Sequence, residues 1–271
     1  NGRTGQARGS QMSLLDGKQA LVFGVANDHS IAWGISKALH DHGAQLAFSY
    51  AGEALERRIR PLAESIDADF VEPCDVSDDD QIEALFDKAK SSLGSIDILV
   101  HAVAFAERDD LQGAFYETSR AGFAKALDIS AFSLVALSKA ALPLMSSGGS
   151  IMAMTYYGSD KVAPNYNVMG VAKAALESST RYLAADLGPM GIRVNALSAG
   201  PIRTLSAAGV SGFKRLYREF ADVAPLRRNI TIDDVGGAAV WLASDLSKAV
   251  TGEVVFVDAG YNILAAPMMD S

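Results

Sequence analysis

Tyr166 and Lys173 are the two residues of this chain whose types and spacing best suit chemistry, and they stand seven positions apart after a buried, strand-like run. A helix turns by about 100° and rises about 1.5 Å per residue, so seven steps place both side chains on one face, roughly 10 Å apart. A phenol can donate a proton to a developing oxyanion, while an ammonium group can anchor ribose hydroxyls and polarise the phenol. The pair therefore indicates nicotinamide chemistry, although a tyrosine and a lysine at this spacing also occur on ordinary helices.

A glycine-bearing turn follows the first predicted strand and has the spacing G-x5-S-x3-G, formed by Gly24, Ser30 and Gly34. The usual G-x-G-x-x-G nucleotide fingerprint is absent, because Ala26 and His29 occupy its second and third glycine positions. Gly24 would permit a tight turn, and Ser30 could cap a helix whose N-terminal N–H groups attract a pyrophosphate. The same residues also fit an ordinary strand-to-helix turn with a structural cap.

Two further segments bear on nucleotide binding. Asp75 and Val76 follow the third predicted strand and could hold an adenine, but Asp75 could equally cap the next helix. The second strand ends in residues 50–53, which contain no base, and a 2′-phosphate would require one. NADH is therefore favoured over NADPH, while Arg57 and Arg58 keep the alternative open.

Short β-rich runs alternate with helical periodicity from residue 19 onward, which is typical of βαβ units joined by right-handed crossovers. The expected fold is α/β: one Rossmann-like, doubly wound domain over residues 12–271, with a mostly parallel sheet and helices on both faces. A substrate-binding loop and helix are expected near residues 204–222. The seven predicted strands are Ala20–Phe23, Gln45–Phe48, Asp69–Val71, Ile96–Val100, Ser150–Met154, Arg193–Leu197 and Val254–Val257.

Composition limits the remaining classes of function. The net charge of −8 and the sequence pI of about 5.0 argue against general nucleic-acid binding, which needs a basic surface. No apolar run was expected to approach the roughly 20 residues that span a bilayer. The lone Cys74 and the polar residues 1–11, read as a remnant of a fusion sequence, favour a cytoplasmic protein, and no metal site is expected.

From Ser13 to about Ala265 the chain resembles the bacterial NADH-dependent enoyl-acyl-carrier-protein reductases of the short-chain dehydrogenase/reductase superfamily. The resemblance rests on residues 24–34, 74–76, 164–170, Lys173 and 193–205. Generic members of the superfamily carry their tyrosine and lysine four residues apart, which would put Gly170 in the lysine position. The wider Y-x6-K spacing is typical of the enoyl reductases.

The resemblance implies a role for each site residue. Tyr166 would be the catalytic phenol, Lys173 the anchor of the nicotinamide ribose, and Tyr156 a second active-site tyrosine at the pocket wall. Ala106 would lie at the substrate thioester, and Met169 and Phe213 would line the acyl tunnel, although core packing is the simpler role for such side chains. The expected cofactor contacts are Gly24, Ser30, Ile31, Asp75, Val76, Val103, Lys173, Ile202, Arg203, Thr204, Leu205 and Ser206.

The implied reaction carries hydride from NADH to C3 of a trans-2-enoyl thioester, the last reductive step of type II fatty-acid elongation. The implied partners are an acyl-carrier protein and further copies of the chain in a homotetramer, with neither nucleic acid nor membrane. A basic cluster of Lys214, Arg215 and Arg218 could meet the acidic carrier or could simply be a solvated helix face.

Three positions depart from the family pattern: Ala51 stands where many NADH-using relatives have Gln, Ala104 where Gly is frequent, and Ser211 where a portal lysine can occur. Two rival interpretations remain. One is a carbonyl reductase of the same superfamily, against which the missing Y-x3-K pair argues. The other is a nucleotide-sensing regulator without turnover, which would not require the intact set of Tyr166, Lys173 and Gly24.

Overall fold

A computed structural model describes residues 13–208 and 212–265. Its centre is a seven-stranded sheet with the strand order β3-β2-β1-β4-β5-β6-β7, in which every neighbouring pair is parallel. The strand order reverses between β1 and β4, which is where doubly wound sheets open a ligand crevice at their carboxyl edge. The strands are β1 Gln19–Phe23, β2 Gln45–Tyr50, β3 Phe70–Pro73, β4 Ile98–His101, β5 Gly149–Thr155, β6 Ile192–Ala199 and β7 Val254–Val257.

Helices cover both faces of this sheet. The nine α-helices of the described residues are α1 Ile31–Asp41, α2 Glu53–Glu64, α3 Asp79–Ser92, α4 Arg120–Leu127, α5 Ser133–Ala141, α6 Asn167–Leu187, α7 Leu205–Ala208, α8 Phe213–Val223 and α9 Ile232–Ala243. The core is accordingly split into two clusters, one under α1, α2 and α9 and the other under α3, α5 and α6. Strands buried on both faces lose the alternation of apolar and polar residues, which is why they appear as continuous apolar runs.

Close backbone contact between α1 and α9 depends on glycine. A Cβ atom added to Gly34 would lie 2.5 Å from Cβ of Ile232, and one added to Gly236 would lie 2.7 Å from Cβ of Ala38. Both distances are well inside van der Waals contact, so no larger residue fits without movement of the helices. Gly34, the last residue of the glycine-bearing turn motif, therefore serves helix packing.

The segment Arg120–Leu144 is a nearly continuous helical run in which α4 passes through a π-helical turn, Asp128–Phe132, into α5. It is long and apolar enough to cross a membrane by length and composition, with a mean hydropathy of 1.5, and 44% of its most apolar window is buried inside the fold. A helix packed between sheet and solvent in a doubly wound domain meets the same criterion. The sequence-based expectation of no apolar run near bilayer length missed this segment.

All seven predicted strands are present, and their ends shift by three residues or fewer. The sheet is wholly parallel, where the sequence predicted a mostly parallel one. The expected substrate-binding region near 204–222 contains α7 and α8, and residues 209–211 between them, including Ser211, lie outside the described residues.

Candidate active site

The turn between β1 and α1 has the geometry expected of a phosphate-binding loop. Gly24 adopts φ +98°, and a Cβ there would lie 2.2 Å from the carbonyl oxygen of Ala102, so only glycine lets β1 leave the sheet beside β4. Ser30 occupies the N-cap position of α1, and Ile31 is its first helical residue. The sequence predicted a capping bond from the Ser30 hydroxyl, but the hydroxyl makes none and instead donates to the carbonyl oxygen of Asn27 at 2.6 Å.

Asp75 and Val76 lie at the carboxyl edge of β3. Val76 is buried and Asp75 is exposed, with its carboxylate accepting bonds from the backbone and hydroxyl of Ser77. The structural alternative for Asp75 is wrong, because Asp78 is the residue that caps α3 by accepting from the N–H groups of Asp80 and Gln81. An exposed acceptor beside a buried valine fits the adenine role.

The end of β2, where the 2′ position of the adenosine ribose is expected, carries no positive charge of its own. Ala51 and Gly52 are exposed, and α2 begins with Glu53. Arg57 forms an exposed ion pair with Glu53 one turn along the helix, at 3.4 Å. This pairing directs Arg57 toward a carboxylate, whereas Arg60, which pairs with Glu56, lies 5.9 Å from the centre of the ring of Tyr50, the last residue of β2.

Tyr166 is the N-cap residue of α6, one position before the first helical residue. It is flanked by Asn165 and Asn167, with φ values of +60° and +33°, in a region of backbone space that non-glycine residues seldom occupy and Asn tolerates best. The Asn167 amide donates to the carbonyl oxygens of Gln112 and Gly113, at 3.3 and 3.2 Å. Tyr166 thus lies on a strained and well-anchored turn, as functional residues frequently do.

Lys173 lies within α6 and is almost fully buried, with 5% of its surface exposed. Its Nζ donates to the carbonyl oxygen of Met154 near the end of β5, at 2.7 Å. Burial lowers the pKa of Lys173 to about 8, and the nearby Glu177 carboxylate partly opposes that shift. The ammonium group is therefore held at the carboxyl edge of the sheet, and its lowered pKa lies closer to neutral pH than that of an exposed lysine.

His101 is a residue that sequence reasoning missed, and it ends β4 opposite Ala153 of β5. Its ring is fully buried, and Nε2 lies 2.7 Å from the hydroxyl oxygen of Ser133, which itself donates to the carbonyl oxygen of Ile129. Because the hydroxyl proton of Ser133 is used in the bond to Ile129, the Ser133 oxygen acts as acceptor toward His101, and Nε2 of His101 donates to it. Burial and the charge of Lys173 lower the pKa of His101 to about 3, so the ring is neutral.

An aromatic cluster surrounds the phenol of Tyr166. The ring of Tyr156 meets that of Tyr166 edge-on with centroids 5.0 Å apart, and Tyr157 meets Tyr156 at the same distance. Tyr261 continues the cluster from Tyr157, at 5.6 Å, to Phe220 of α8, at 5.0 Å. Neither Tyr157 nor Tyr261 was identified from the sequence; Tyr261 follows β7 and reaches the site only through the sheet order.

Burial raises the pKa values of the tyrosines in this cluster. Desolvation is the main cause for Tyr166, followed by the neighbouring Tyr156 and the Glu177 carboxylate. The pKa of Tyr156 is raised chiefly by the same burial, and that of Tyr157 rises to about 12. These phenols are therefore protonated at neutral pH, the state needed to donate a hydrogen bond to an oxyanion.

The loop after β4 faces the site through residues 102–106, with Val103 and Ala106 half-buried and Ala104 exposed. Ser130, buried in the π-helical turn, accepts from the N–H of Phe105 at 2.9 Å and donates to its carbonyl oxygen at 3.0 Å. The Lys125 ammonium lies 4.6 Å from the centre of the Phe105 ring. These contacts fix the backbone next to Ala106.

The segment leaving β6 contains the expected cofactor contacts from Ile202 onward. Ile202 is buried, and the Thr204 hydroxyl accepts from the N–H of Ala207 in α7. The Arg203 guanidinium lies over the ring of Tyr217, 4.3 Å from its centre, and so links this segment to α8. Leu205 is half-exposed, whereas the side chain of Ser206 lies outside the described residues.

Met169 and Phe213 approach the site from different helices. Met169 is buried one turn after Tyr166 on α6, and its N–H bonds to the Tyr166 carbonyl oxygen at 2.9 Å. Phe213 is half-buried at the start of α8, in contact with Tyr217. The structure therefore allows both a packing role and a tunnel role for these side chains.

The described residues include two side chains of the expected basic cluster on α8, Arg215 and Arg218. Arg215 pairs with Glu219 on the same helix at 2.7 Å, and the side chain of Lys214 lies outside the described residues. Arg218 is exposed. Within residues 13–208 and 212–265, no group of three or more His, Cys, Asp or Glu side chains is placed to hold a metal ion.

The all-parallel sheet, its reversal between β1 and β4, and a tyrosine and a lysine on one helix at its carboxyl edge define a Rossmann-type oxidoreductase of the short-chain dehydrogenase/reductase superfamily. A family model described as enoyl-(acyl carrier protein) reductase matches residues 24–262. The chain belongs to this enoyl-acyl-carrier-protein reductase family.

Its relatives are similar over nearly their whole length. The chain is 54% identical to the enoyl-acyl-carrier-protein reductase (NADH) FabI of Bacillus cereus, over 93% of this chain and 100% of that protein. The enoyl-acyl-carrier-protein reductase (NADH) 2 of Rhizobium meliloti is 52% identical, with 95% and 96% covered.

Two solved structures are similar in fold as well as in sequence. The Bacillus cereus reductase crystallised with NADP+ and indole naphthyridinone has a TM-score of 0.92 at 54% identity, with 94% of this chain and 100% of that chain covered. The reductase of Anaplasma phagocytophilum in complex with NAD has a TM-score of 0.92 at 47% identity, with 96% and 99% covered.

Proposed function

We propose that this protein is an NADH-dependent enoyl-acyl-carrier-protein reductase that saturates the C2–C3 double bond of trans-2-enoyl thioesters. The observation that carries the proposal is the placement of a half-buried, protonated Tyr166 beside Tyr156, with the Lys173 ammonium bonded to Met154 near the carboxyl end of β5. Membership of the enoyl reductase family supports the substrate class. Relatives named for NADH, and the absence of a basic residue from positions 50–53, support the nucleotide.

The chain's own residues would bind and polarise, while bound NADH supplies the hydride. The turn at Gly24 and the N-terminus of α1 would hold the pyrophosphate, Asp75 and Val76 the adenine, and Lys173 the nicotinamide ribose. Val103 and the segment 202–206 would enclose the nicotinamide end.

Tyr166 would donate a hydrogen bond to the thioester oxygen, where negative charge develops once C3 has accepted hydride, and a proton added to C2 of this enolate would then complete the saturation. Its raised pKa keeps the proton on the phenol until that charge appears. Tyr156 would exclude water from the same side, with Ala106 at the thioester and Met169 and Phe213 along the acyl chain.

Carbonyl reduction is the rival chemistry, and the structure gives a physical reason against the residue arrangement it requires. A lysine four residues after Tyr166 would replace Gly170, whose added Cβ would lie 2.8 Å from the Gly158 carbonyl oxygen. The turn that carries Tyr156 therefore occupies the space such a side chain would need.

Initial rates with crotonyl and acetoacetyl thioesters, each with NADH and with NADPH, test the proposal. We expect oxidation of NADH with the crotonyl thioester and at least 100-fold lower kcat/KM with the other three combinations. Preference for the acetoacetyl thioester would contradict the substrate class, preference for NADPH would contradict the nucleotide, and no turnover at all would favour a regulator.

Carrier docking, quaternary structure and location are finer proposals. An acyl-carrier protein would deliver the substrate beside α8, where Arg218 is exposed. The protein would work as a homotetramer in the cytoplasm, and the exposure of Phe132, which ends the π-helical turn (55%), and of Tyr182 on α6 (74%) supports contact between copies of the chain. Charge reversal at Arg218 should raise KM for the acyl-carrier-protein substrate and leave KM for the crotonyl thioester of coenzyme A unchanged.

A further inference from the structure

We propose that Glu177 is a positioning residue that fixes the Tyr156 turn against the catalytic helix; the proposal rests on the function given above. One carboxylate oxygen of Glu177, Oε1, accepts from the hydroxyl of Thr155 at 2.6 Å and from the hydroxyl of Ser159 at 2.6 Å. These two donors bracket Tyr156 along the chain. A single acceptor therefore holds both ends of the turn that carries the second active-site tyrosine.

The position of Glu177 on α6 makes this contact relevant to the chemistry. It lies one turn after Lys173, so the two side chains share a helix face. Thr155 ends β5 directly after Met154, whose carbonyl oxygen accepts from Lys173. Glu177 and Lys173 thus bind the carboxyl end of β5 at adjacent residues, and hydrogen bonds to an ionised acceptor are stronger than neutral ones.

The turn held by Glu177 packs closely against Tyr156 and Tyr166, with no room for an added side chain at Gly158. A Cβ added to Gly158 would lie 2.8 Å from Cδ1 of Tyr166 and 3.0 Å from Cδ1 of Tyr156. Any displacement of this turn therefore moves the Tyr156 ring, which meets Tyr166 edge-on at 5.0 Å. The relative position of the Tyr156 and Tyr166 phenols therefore depends on the hydrogen bonds that Glu177 accepts from Thr155 and Ser159.

Kinetics of Ser159→Ala, Glu177→Ala, Glu177→Gln and the double variant test the role, with the crotonyl thioester and saturating NADH. We expect kcat to fall about 10-fold in Ser159→Ala and at least as far in Glu177→Ala, with KM for NADH within twofold of wild type. The double variant should match Glu177→Ala, because the hydroxyl has already lost its acceptor. Glu177→Gln should restore most of kcat, since an amide oxygen also accepts hydrogen bonds.

Asp160→Asn is the matched control in the same turn, because the Asp160 side chain is exposed and forms an ion pair with Lys161, so the variant should leave kcat unchanged. Wild-type kcat in Ser159→Ala, additive losses in the double variant, or a Glu177→Gln variant as slow as Glu177→Ala would each overturn the proposal. If Glu177→Ala fails to fold, the kcat of Ser159→Ala alone decides.

Near-ultraviolet circular dichroism does not require turnover, so it tests the positioning role of Glu177 independently of the enoyl reductase function. The edge-on contacts among Tyr156, Tyr157 and Tyr166 should give a near-ultraviolet circular dichroism signal that weakens in Ser159→Ala and persists in Asp160→Asn. An inactive wild-type protein with that pattern would contradict the enoyl reductase function only. An unchanged signal in Ser159→Ala would contradict the positioning role whatever the activity.

Discussion

At the scale of single residues, the site combines groups whose protonation is controlled by burial. Tyr166 and Tyr156 keep their protons because a buried phenolate is unfavourable, while the buried ammonium of Lys173 is destabilised. Lys173 offsets part of its desolvation through the bond to the Met154 carbonyl oxygen. The site therefore combines the Tyr166 phenol, which resists ionisation, with the Lys173 ammonium, whose burial is energetically unfavourable.

Tyr166→Phe removes the phenolic donor and keeps the ring contact with Tyr156. Loss of one hydrogen-bond donor to a developing oxyanion is expected to lower kcat by roughly 100-fold. Steady-state rates with the crotonyl thioester and NADH provide the measurement. Turnover equal to that of the wild type would remove Tyr166 from the catalytic role.

Lys173→Met removes the buried charge. The pKa of Lys173 falls from 10.5 to about 8 on folding. Below pH 8 the buried charge of Lys173 therefore lowers the free energy of unfolding by about 3 kcal/mol. Between about pH 8 and 9.5 the unfolded chain binds more protons than the folded one at this site, so wild-type stability at this site rises with pH. Above that range the tyrosines with raised pKa values oppose the trend, because they ionise first in the unfolded chain.

Urea unfolding of the free protein at pH 7 and pH 9 checks this sign. The difference in unfolding free energy between Lys173→Met and wild type should favour the variant at pH 7 and shrink by pH 9. In the same variant, NADH should no longer raise the melting temperature, because the ribose anchor is gone. A pH-independent difference would show that Lys173 is not buried as a cation.

At the scale of elements, glycines decide how closely the helices and turns approach one another. Gly34 and Gly236 bring α1 and α9 into backbone contact, and Gly158 and Gly170 bring the Tyr156 turn onto α6. The first pair stabilises the scaffold, whereas the second pair shapes the site. The sequence motif that contained Gly34 suggested a nucleotide contact, and the structure assigns that glycine to packing.

Gly236→Ala and Gly237→Ala make a matched pair on α9. A Cβ at Gly236 would lie 2.8 Å from the Gly34 carbonyl oxygen, whereas a Cβ at Gly237 meets nothing within 4 Å. Overpacking should cost Gly236→Ala about 1–3 kcal/mol, while higher helix propensity should stabilise Gly237→Ala by about 0.5–1 kcal/mol. Urea unfolding measures both, and equal changes of the same sign would contradict the packing argument.

At the scale of the whole molecule, α5 and α6 together present an exposed face to the solvent. An open groove there is lined by residues of both helices, namely Val135, Ala175, Ser178, Ser179, Tyr182, Leu183 and Asp186. Apolar faces of this kind mark contacts between chains. The proposed homotetramer would cover this face and explain the high hydropathy of the segment Arg120–Leu144 without a membrane.

Tyr182→Arg should therefore lower the molar mass measured by light scattering, because a buried, unpaired charge would disfavour the contact. Tyr116→Arg is the control, since Tyr116 is also exposed, at 86%, but lies in a separate short helix, Phe115–Glu117. Equal masses for Tyr182→Arg and wild type would exclude this face as the interface.

The amino-acid sequence by itself determined the strands and the parallel doubly wound class, because buried apolar runs are local signals, and the local spacing of Tyr166 and Lys173 predicted the principal pair of the proposed site. It did not reveal His101, Tyr157, Tyr261 or the Glu177 contact, since these depend on which strands lie side by side and on where the chain after β7 returns. It also left Asp75 undecided until Asp78 proved to be the cap. Local periodicity fixes elements, whereas contacts between distant segments arise only when the sheet order brings their ends to one edge.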